Sequence, residues 1–326
     1  MSFGISTFTP MNVIANQILV LGLITLVGYL AYVLKAVNKD INQALVRVIM
    51  KVTLPLLLFT TVANLETDSK TLINGVVIFF AGAFAVLVLN ILSRGSAKIL
   101  KLDRKNEALH KAHTMFGNVV FLGFPLMDAL FPGGKGLLYA TLFQLGQDSL
   151  MWTWGIIMLS KSANKSTKHS WKHLFNLNTL AFALGFLFYF TGLRLPPVFN
   201  QALSGIGHTT IYLSMVYVGA VLAQVKLVSL IKNLRSYLLS LNKLLLGPAI
   251  VAAVLYALQF AGLQWMDTDA IVVIVLQAGM PCMIIVSVIA RELGLNDFQA
   301  TQNIFVSTVL SLGTLPLLYF LIKIIM

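Results

Sequence analysis

Runs of about twenty apolar residues, separated by short polar connections, recur along the whole chain. Ten such runs lie near residues 11–33, 41–64, 71–93, 107–131, 135–160, 177–194, 199–224, 236–262, 268–293 and 300–325. A helix needs about 20 mostly apolar residues to cross a hydrocarbon core about 30 Å thick. Each run is therefore predicted to be a transmembrane helix, and the chain an all-α integral membrane protein of ten segments. The longest polar connections fall around 94–106 and 161–175, and no Gly/Ser linker or low-complexity tail interrupts the pattern.

Composition agrees. Of 326 residues, 58% are hydrophobic and only 10% are Asp, Glu, Lys or Arg, against roughly 25% charged residues in a soluble domain. The formal charge of +12 would ordinarily raise the question of nucleic acid, but the basic residues are sorted by connection, which is the signature of membrane topology. Connections after segments 1, 3, 5, 7 and 9, taken with Arg47 and Lys51 early in segment 2, hold 19 of the 23 basic residues. The other side has Lys70, Lys135, Arg194 and Lys323. The positive-inside bias then puts the odd-numbered connections in the cytoplasm and both termini outside the plasma or inner membrane. The first basic residue, Lys35, follows the first apolar run, so the start does not read as a secretory signal. The one cysteine, Cys282, lies in an apolar run and leaves no intrachain disulfide to form.

Ten segments divide into two sets of five, 1–160 and 177–326, joined by a cytoplasmic loop at 161–176. An odd number per set gives the second set the opposite orientation, as in inverted-repeat transporters. Segments 4 and 9 each carry a proline near mid-membrane with a glycine just before it: Gly123 and Pro125, Gly279 and Pro281. Paired Gly/Pro interruptions at matching positions point to a transport site. Proline removes an N–H and clashes with the carbonyl four residues back. Helix ends freed at that depth carry partial charge, positive at N-termini and negative at C-termini. Such ends suit an anionic substrate and a coupling cation.

The run GNVVFLGFPLMDALFPGGKGLLYATLFQLGQDSLMWTWG at 117–155 resembles the auxin efflux carrier family, within the bile acid sodium symporter superfamily. That family includes malate-permease-like and malonate-carrier-like bacterial members and the plant PIN-type carriers. MPCMIIVSVIARELGLNDFQATQNIFVSTVLSLGTLPLL at 280–318, VTLPLLLF at 52–59 and the stretch from Asn178 to Gln224 are similar to it too. The resemblance implies two inverted five-helix repeats in which helices 4 and 9 are broken and cross at Pro125 and Pro281. It implies a scaffold of helices 1, 2, 6 and 7, through which a homodimer forms, and a mobile transport part of helices 3–5 and 8–10. Asn118, seven residues before Pro125, matches a substrate-contacting asparagine of PIN-type carriers. The long cytoplasmic loop of many plant members is absent, and auxin itself is not favoured.

The expected substrate site comprises Asn118, Gly123, Pro125, Gln277, Gly279 and Pro281. Asp148, a costly carboxylate half-way across segment 5, is expected to hold H⁺ or Na⁺ with Gln144 and Gln147, or else to pair with a lysine such as Lys51. Asn303, Ser307, Thr308 and Ser311 form a polar face on segment 10; Asn303 and Thr308 are expected to oppose Asp148 across the site. His110 and His113 are read as interfacial, Cys282 as packing. No P-loop, HExxH, GxSxG or CxxC occurs, so neither an enzyme nor an ATP-driven pump is expected. No cofactor is expected beyond the coupling ion, and the partners are a small organic anion and the bilayer. The reading is a secondary active transporter of a mono- or dicarboxylate such as malate or malonate, working by alternating access. The alternatives are an exporter or uniporter of auxin-like indole acids, and, in another class, a channel or membrane-embedded sensor.

Overall fold

The computed structural model describes residues 10–65, 69–131, 133–165, 176–224, 233–262 and 266–325. Among them every named element is helical: α1 (Pro10–Val33), α2 (Lys39–Val48), α3 (Leu54–Ala63), α4 (Ser69–Ile99), α5 (Arg104–Met115), α6 (Phe124–Leu130), α7 (Lys135–Leu150), α8 (Ile156–Ser162), α9 (Leu177–Thr191), α10 (Pro197–Leu222), α11 (Leu234–Leu241), α12 (Gly247–Phe260), α13 (Thr268–Ala278), α14 (Ile284–Leu293) and α15 (Asp297–Ile325). Most of the 161–176 loop, with His169, Trp171 and His173, lies outside the described residues.

Wide π turns lie at Ile49–Thr53, Val119–Gly123, Met151–Gly155 and Asn242–Leu246; three join a pair of helices, and Val119–Gly123 opens α6. Three of these stand two residues before a proline: Pro55, Pro125 and Pro248. The proline ring would strike the carbonyl four residues back. The preceding turn widens instead, and the N–H groups of Leu54, Phe124 and Gly247 reach back five residues, to Ile49, Val119 and Asn242. Such insertions are common at functional sites.

Five helical stretches are long and apolar enough to cross a membrane: Lys39–Ala63, Lys70–Ile99, Pro197–Leu222, Leu234–Phe260 and Asp297–Ile325. Ten were expected. Segments 4 and 9 are divided into halves of span-breaking length, α9 has only 15 residues, and the stretch through α7 and α8 is diluted by polar residues. The outside is apolar, and polar side chains are buried within an otherwise apolar interior. Gln147, Gln277, Ser307 and Lys243 are buried, while Leu23, Phe80, Ile91, Phe190 and Phe260 are exposed. That is the reverse of a soluble surface and fits a lipid surround.

Helices approach most closely where glycines face backbone. α1 and α10 meet through Gly28 and Gly219: a Cβ on Gly219 would stand 1.9 Å from the Thr25 carbonyl oxygen, and one on Gly28 2.1 Å from that of Val216. α4 and α7 meet in the same reciprocal way, Gly146 against the Phe79 carbonyl (1.9 Å) and Gly82 against that of Phe143 (2.3 Å). Small residues that let backbones touch are the usual glue between membrane helices. α3 packs against α9 and α10, and α12 and α13 pack against α4.

Candidate functional site

Segments 4 and 9 are broken. α5 ends at Met115, the chain runs extended through Phe116, Gly117 and Asn118, and helix resumes at Val119. α13 ends at Ala278 and α14 begins at Ile284. The two extended pieces lie side by side and antiparallel, with Gly117 opposite Cys282. The Asn118 N–H donates to the Pro281 carbonyl (2.7 Å), and the Met283 N–H to that of Phe116 (3.0 Å). Backbone polar groups at such depth need partners, and side chains supply the rest. The Gln147 amide accepts from the Gly117 N–H (2.8 Å) and donates to the Gly117 carbonyl (3.1 Å). The Ser307 hydroxyl accepts from the Cys282 N–H (3.0 Å).

The first break is not where the proline is. Pro125 is the second residue of α6, buried in continuous helix, nine residues after the chain leaves α5. The π turn before it absorbs its missing hydrogen bond, and near the N-terminus of a helix proline is tolerated. Gly117 lies in the break instead, closely packed: a Cβ there would stand 3.2 Å from both the Met280 Cβ and the Lys243 Nζ. Pro281 does lie in the second break.

Beside the crossing is a cavity of about 170 Å³. Gly117 to Phe121 and Met283 to Ile285 line it, so the N-terminal ends of both resumed helices face it. Those ends carry unpaired N–H groups and partial positive charge. Polar side chains that converge there are Asn118, Thr141, Gln144, Asp148 and, from α10, Tyr217. The Asn118 Oδ1 caps the resumed helix by accepting from the Phe121 N–H (3.4 Å). Its Nδ2 has no partner among the described residues. The Asp148 Oδ1 is buried without a hydrogen bond, and no lysine lies within ion-pair distance of this carboxylate among the described residues; Lys51 points outward. Phe121, Phe124, Trp152 and Phe182 give the cavity aromatic walls, and Phe121 and Tyr217 pack ring to ring at 5.0 Å.

The other expected site residues are elsewhere. Gln147 holds Gly117. Gln277 is fully buried with both amide atoms unpartnered, and lies against Gly123, where a Cβ would stand 2.3 Å from its Oε1. Gly279 packs near Leu318 and Pro248. Asn303 does not oppose Asp148: its Oδ1 accepts from Ser236 (2.8 Å) and Gln299 (2.9 Å). Thr308 is buried and does not line the cavity. His110 and His113 are not interfacial but buried, 3% and 0% exposed, with the His110 Nε2 2.7 Å from the Ser96 hydroxyl.

The sequence matches the membrane transport protein family over residues 13–319. The chain belongs to that family. The transporter is also similar to an uncharacterized transporter of Methanothermobacter thermautotrophicus, 29% identical over 303 residues, which are 90% of this chain and 93% of that one. The match bears out the resemblance to auxin efflux carriers read from residues 117–155 and 280–318. Sequence reasoning missed two residues here, one lining the cavity and one behind the crossing. Tyr217 sits unmarked in an apolar run. Lys243, counted with the cytoplasmic connections, is 1% exposed in the interior; its place inside an otherwise apolar run was the available signal.

Proposed function

We propose that the protein is a secondary active transporter that carries a small organic anion, a mono- or dicarboxylate such as malate or malonate, by alternating access. The observation that carries this reading is the cavity at the crossing, where two helix N-termini and the free Asn118 amide converge. Preorganised N–H groups and a positive helix end are a ready anion site. Asp148 is the proposed coupling group, for H⁺ or Na⁺, with Gln144 beside it in the cavity wall; the membrane potential is the alternative driving force.

The finer architecture belongs to the same proposal: ten membrane segments in two inverted sets of five, with both termini outside. Segments 1, 2, 6 and 7 form the scaffold, and a homodimer assembles through it. In support, the close glycine contacts bind α1 to α10 and α4 to α7, within the two bodies rather than between them. The cavity reaches Asn176 and Thr179, next to the 161–176 connection. With the basic side cytoplasmic, it opens inward. The aromatic walls favour a second reading, an exporter or uniporter of an indole-like acid.

Uptake of radiolabelled malate into proteoliposomes under an inward pH or Na⁺ gradient tests the proposal. Saturable, gradient-dependent uptake is expected, and Asn118→Ala is expected to lower uptake at least ~10-fold, the cost of one lost charge-assisted hydrogen bond, without loss of folded protein. Uptake unchanged in Asn118→Ala would move the site away from the crossing. Absence of malate uptake, with indole-3-acetate carried instead, would favour the second reading.

A further inference from the structure

The cavity leaves one charged group without a role. Lys243 lies in the π turn Asn242–Leu246, inside the Leu234–Phe260 helix. At 1.5 Å per residue it stands about 14 Å from the start of that helix, near the middle of a core about 30 Å thick. Its position follows from Pro248, which widens the turn that carries it. The Nζ is 3.4 Å from the carbonyl oxygen of Met115, the last residue of α5. A Cβ on Gly117 would meet the Nζ at 3.2 Å and the Cε at 3.4 Å. Among the described residues no carboxylate stands within 4 Å of it.

An ammonium in the membrane core is costly and is usually functional. Here the amine meets one backbone acceptor, the Met115 carbonyl. The carbonyl end of α5 carries partial negative charge and faces the amine. Gly117 lies next to the amine and also lines the cavity, which Lys243 does not line. The crossing thus sorts its ends: N–H ends toward the cavity, a carbonyl end toward Lys243.

We propose that Lys243 is the countercharge of the transported anion, an ammonium behind the crossing that attracts the carboxylate through Gly117 and crosses the membrane with it. This rests on the anion-transport reading above. Lys243 touches no substrate; it sets the charge of the loaded carrier and its preference for anions.

The test is exchange of radiolabelled malate, malonate or indole-3-acetate in proteoliposomes with saturating anion on both sides, where only loaded carrier crosses. Wild type, Lys243→Arg and Lys243→Gln are compared at 0 and −100 mV. Lys243→Gln adds one net negative charge to the crossing species. The ratio of its exchange rates at the two potentials is expected to shift from the wild-type ratio by up to ~50-fold, the factor for one charge through 100 mV. Its half-saturating concentration is expected to rise roughly 10-fold, as for loss of one nearby charge at an effective dielectric near 20. Lys243→Arg is expected to keep the wild-type ratio. Equal ratios in wild type and Lys243→Gln, with exchange intact, overturn the proposal. Should wild type exchange none of the three anions, the substrate reading falls separately, and Lys243 is decided on substrate-free protein. There Lys243→Met is expected to melt below wild type, because the α5 carbonyl end loses its cation. Equal or higher melting would make the amine neutral padding and overturn the proposal; the same measurement decides if Lys243→Gln does not assemble.

Discussion

Individual side chains at the crossing fall into two kinds. Gln147 and Ser307 complete the hydrogen bonding of broken backbone, whereas Asn118 and Asp148 line the cavity, the latter with its Oδ1 unpartnered. An orphaned carboxylate oxygen in the membrane is costly unless it serves an ion or a proton. Asp148→Asn is therefore expected to abolish gradient-driven accumulation, bringing a ratio of up to ~50-fold per charge per 100 mV down to unity, while exchange of labelled for unlabelled anion continues. Accumulation that survived the change would make Asp148 structural. The polar residues Asn118 and Asp148 were legible in the sequence, the first through the family resemblance and the second because a carboxylate at that depth marks itself. The tasks of Gln147 and Asn303 were not, since a buried amide reads the same whether it meets an ion, a backbone or another side chain.

Helices here are shaped by proline and glycine in ways that sequence spacing only partly reveals. Pro281 lies in a break and Pro125 does not, although both follow a glycine by two residues. The difference is that the chain before Pro125 widens into a π turn, while Gly117 finds in Cys282 a partner strand from another segment. Glycine shows the same dependence on context. Gly146 touches the Phe79 carbonyl, so Gly146→Ala is expected to destabilise the protein by about 2–3 kcal/mol through overpacking. Gly95, also helical, has open space where a Cβ would stand, with nothing within 4 Å, and Gly95→Ala is expected to stabilise by about 0.5–1 kcal/mol through helix propensity. Thermal unfolding in detergent distinguishes the two, and melting shifts of the same sign would refute the packing argument.

At the scale of the whole molecule, the proposed orientation makes a prediction about access to the cavity. The cavity runs from the crossing to Asn176 and Thr179, at the end that the basic residues assign to the cytoplasm. The opposite end is tied by Lys135, whose Nζ pairs with Asp267 (2.8 Å) and Asp269 (2.9 Å), joining the starts of α7 and α13. The only native cysteine, Cys282, is buried, so introduced cysteines report cleanly. Thr179→Cys and Gln144→Cys are expected to react with a membrane-impermeant maleimide in inside-out vesicles and to resist it in intact cells. The reverse pattern would invert the assigned topology or place the structure in an outward-open state.

Hydrophobic patterning by itself determined that the chain is helical and apolar enough for a membrane, and where most helices start and stop, though not the breaks inside segments 4 and 9 or the run of α4 to Ile99. These follow from local rules: the length of an apolar run, the cost of charge in lipid, the missing N–H of proline. The family, too, was legible in the runs at 117–155 and 280–318. Only the tertiary structure decided that the first break falls at Gly117, that Gln147 and Ser307 complete it, and that Tyr217 and Asp148 share a cavity while Asn303 lies apart. It alone turned Lys243 from a loop residue into a buried amine. Each of these depends on which segment lies against which, and a mid-membrane polar group acquires its role from the neighbour that satisfies it.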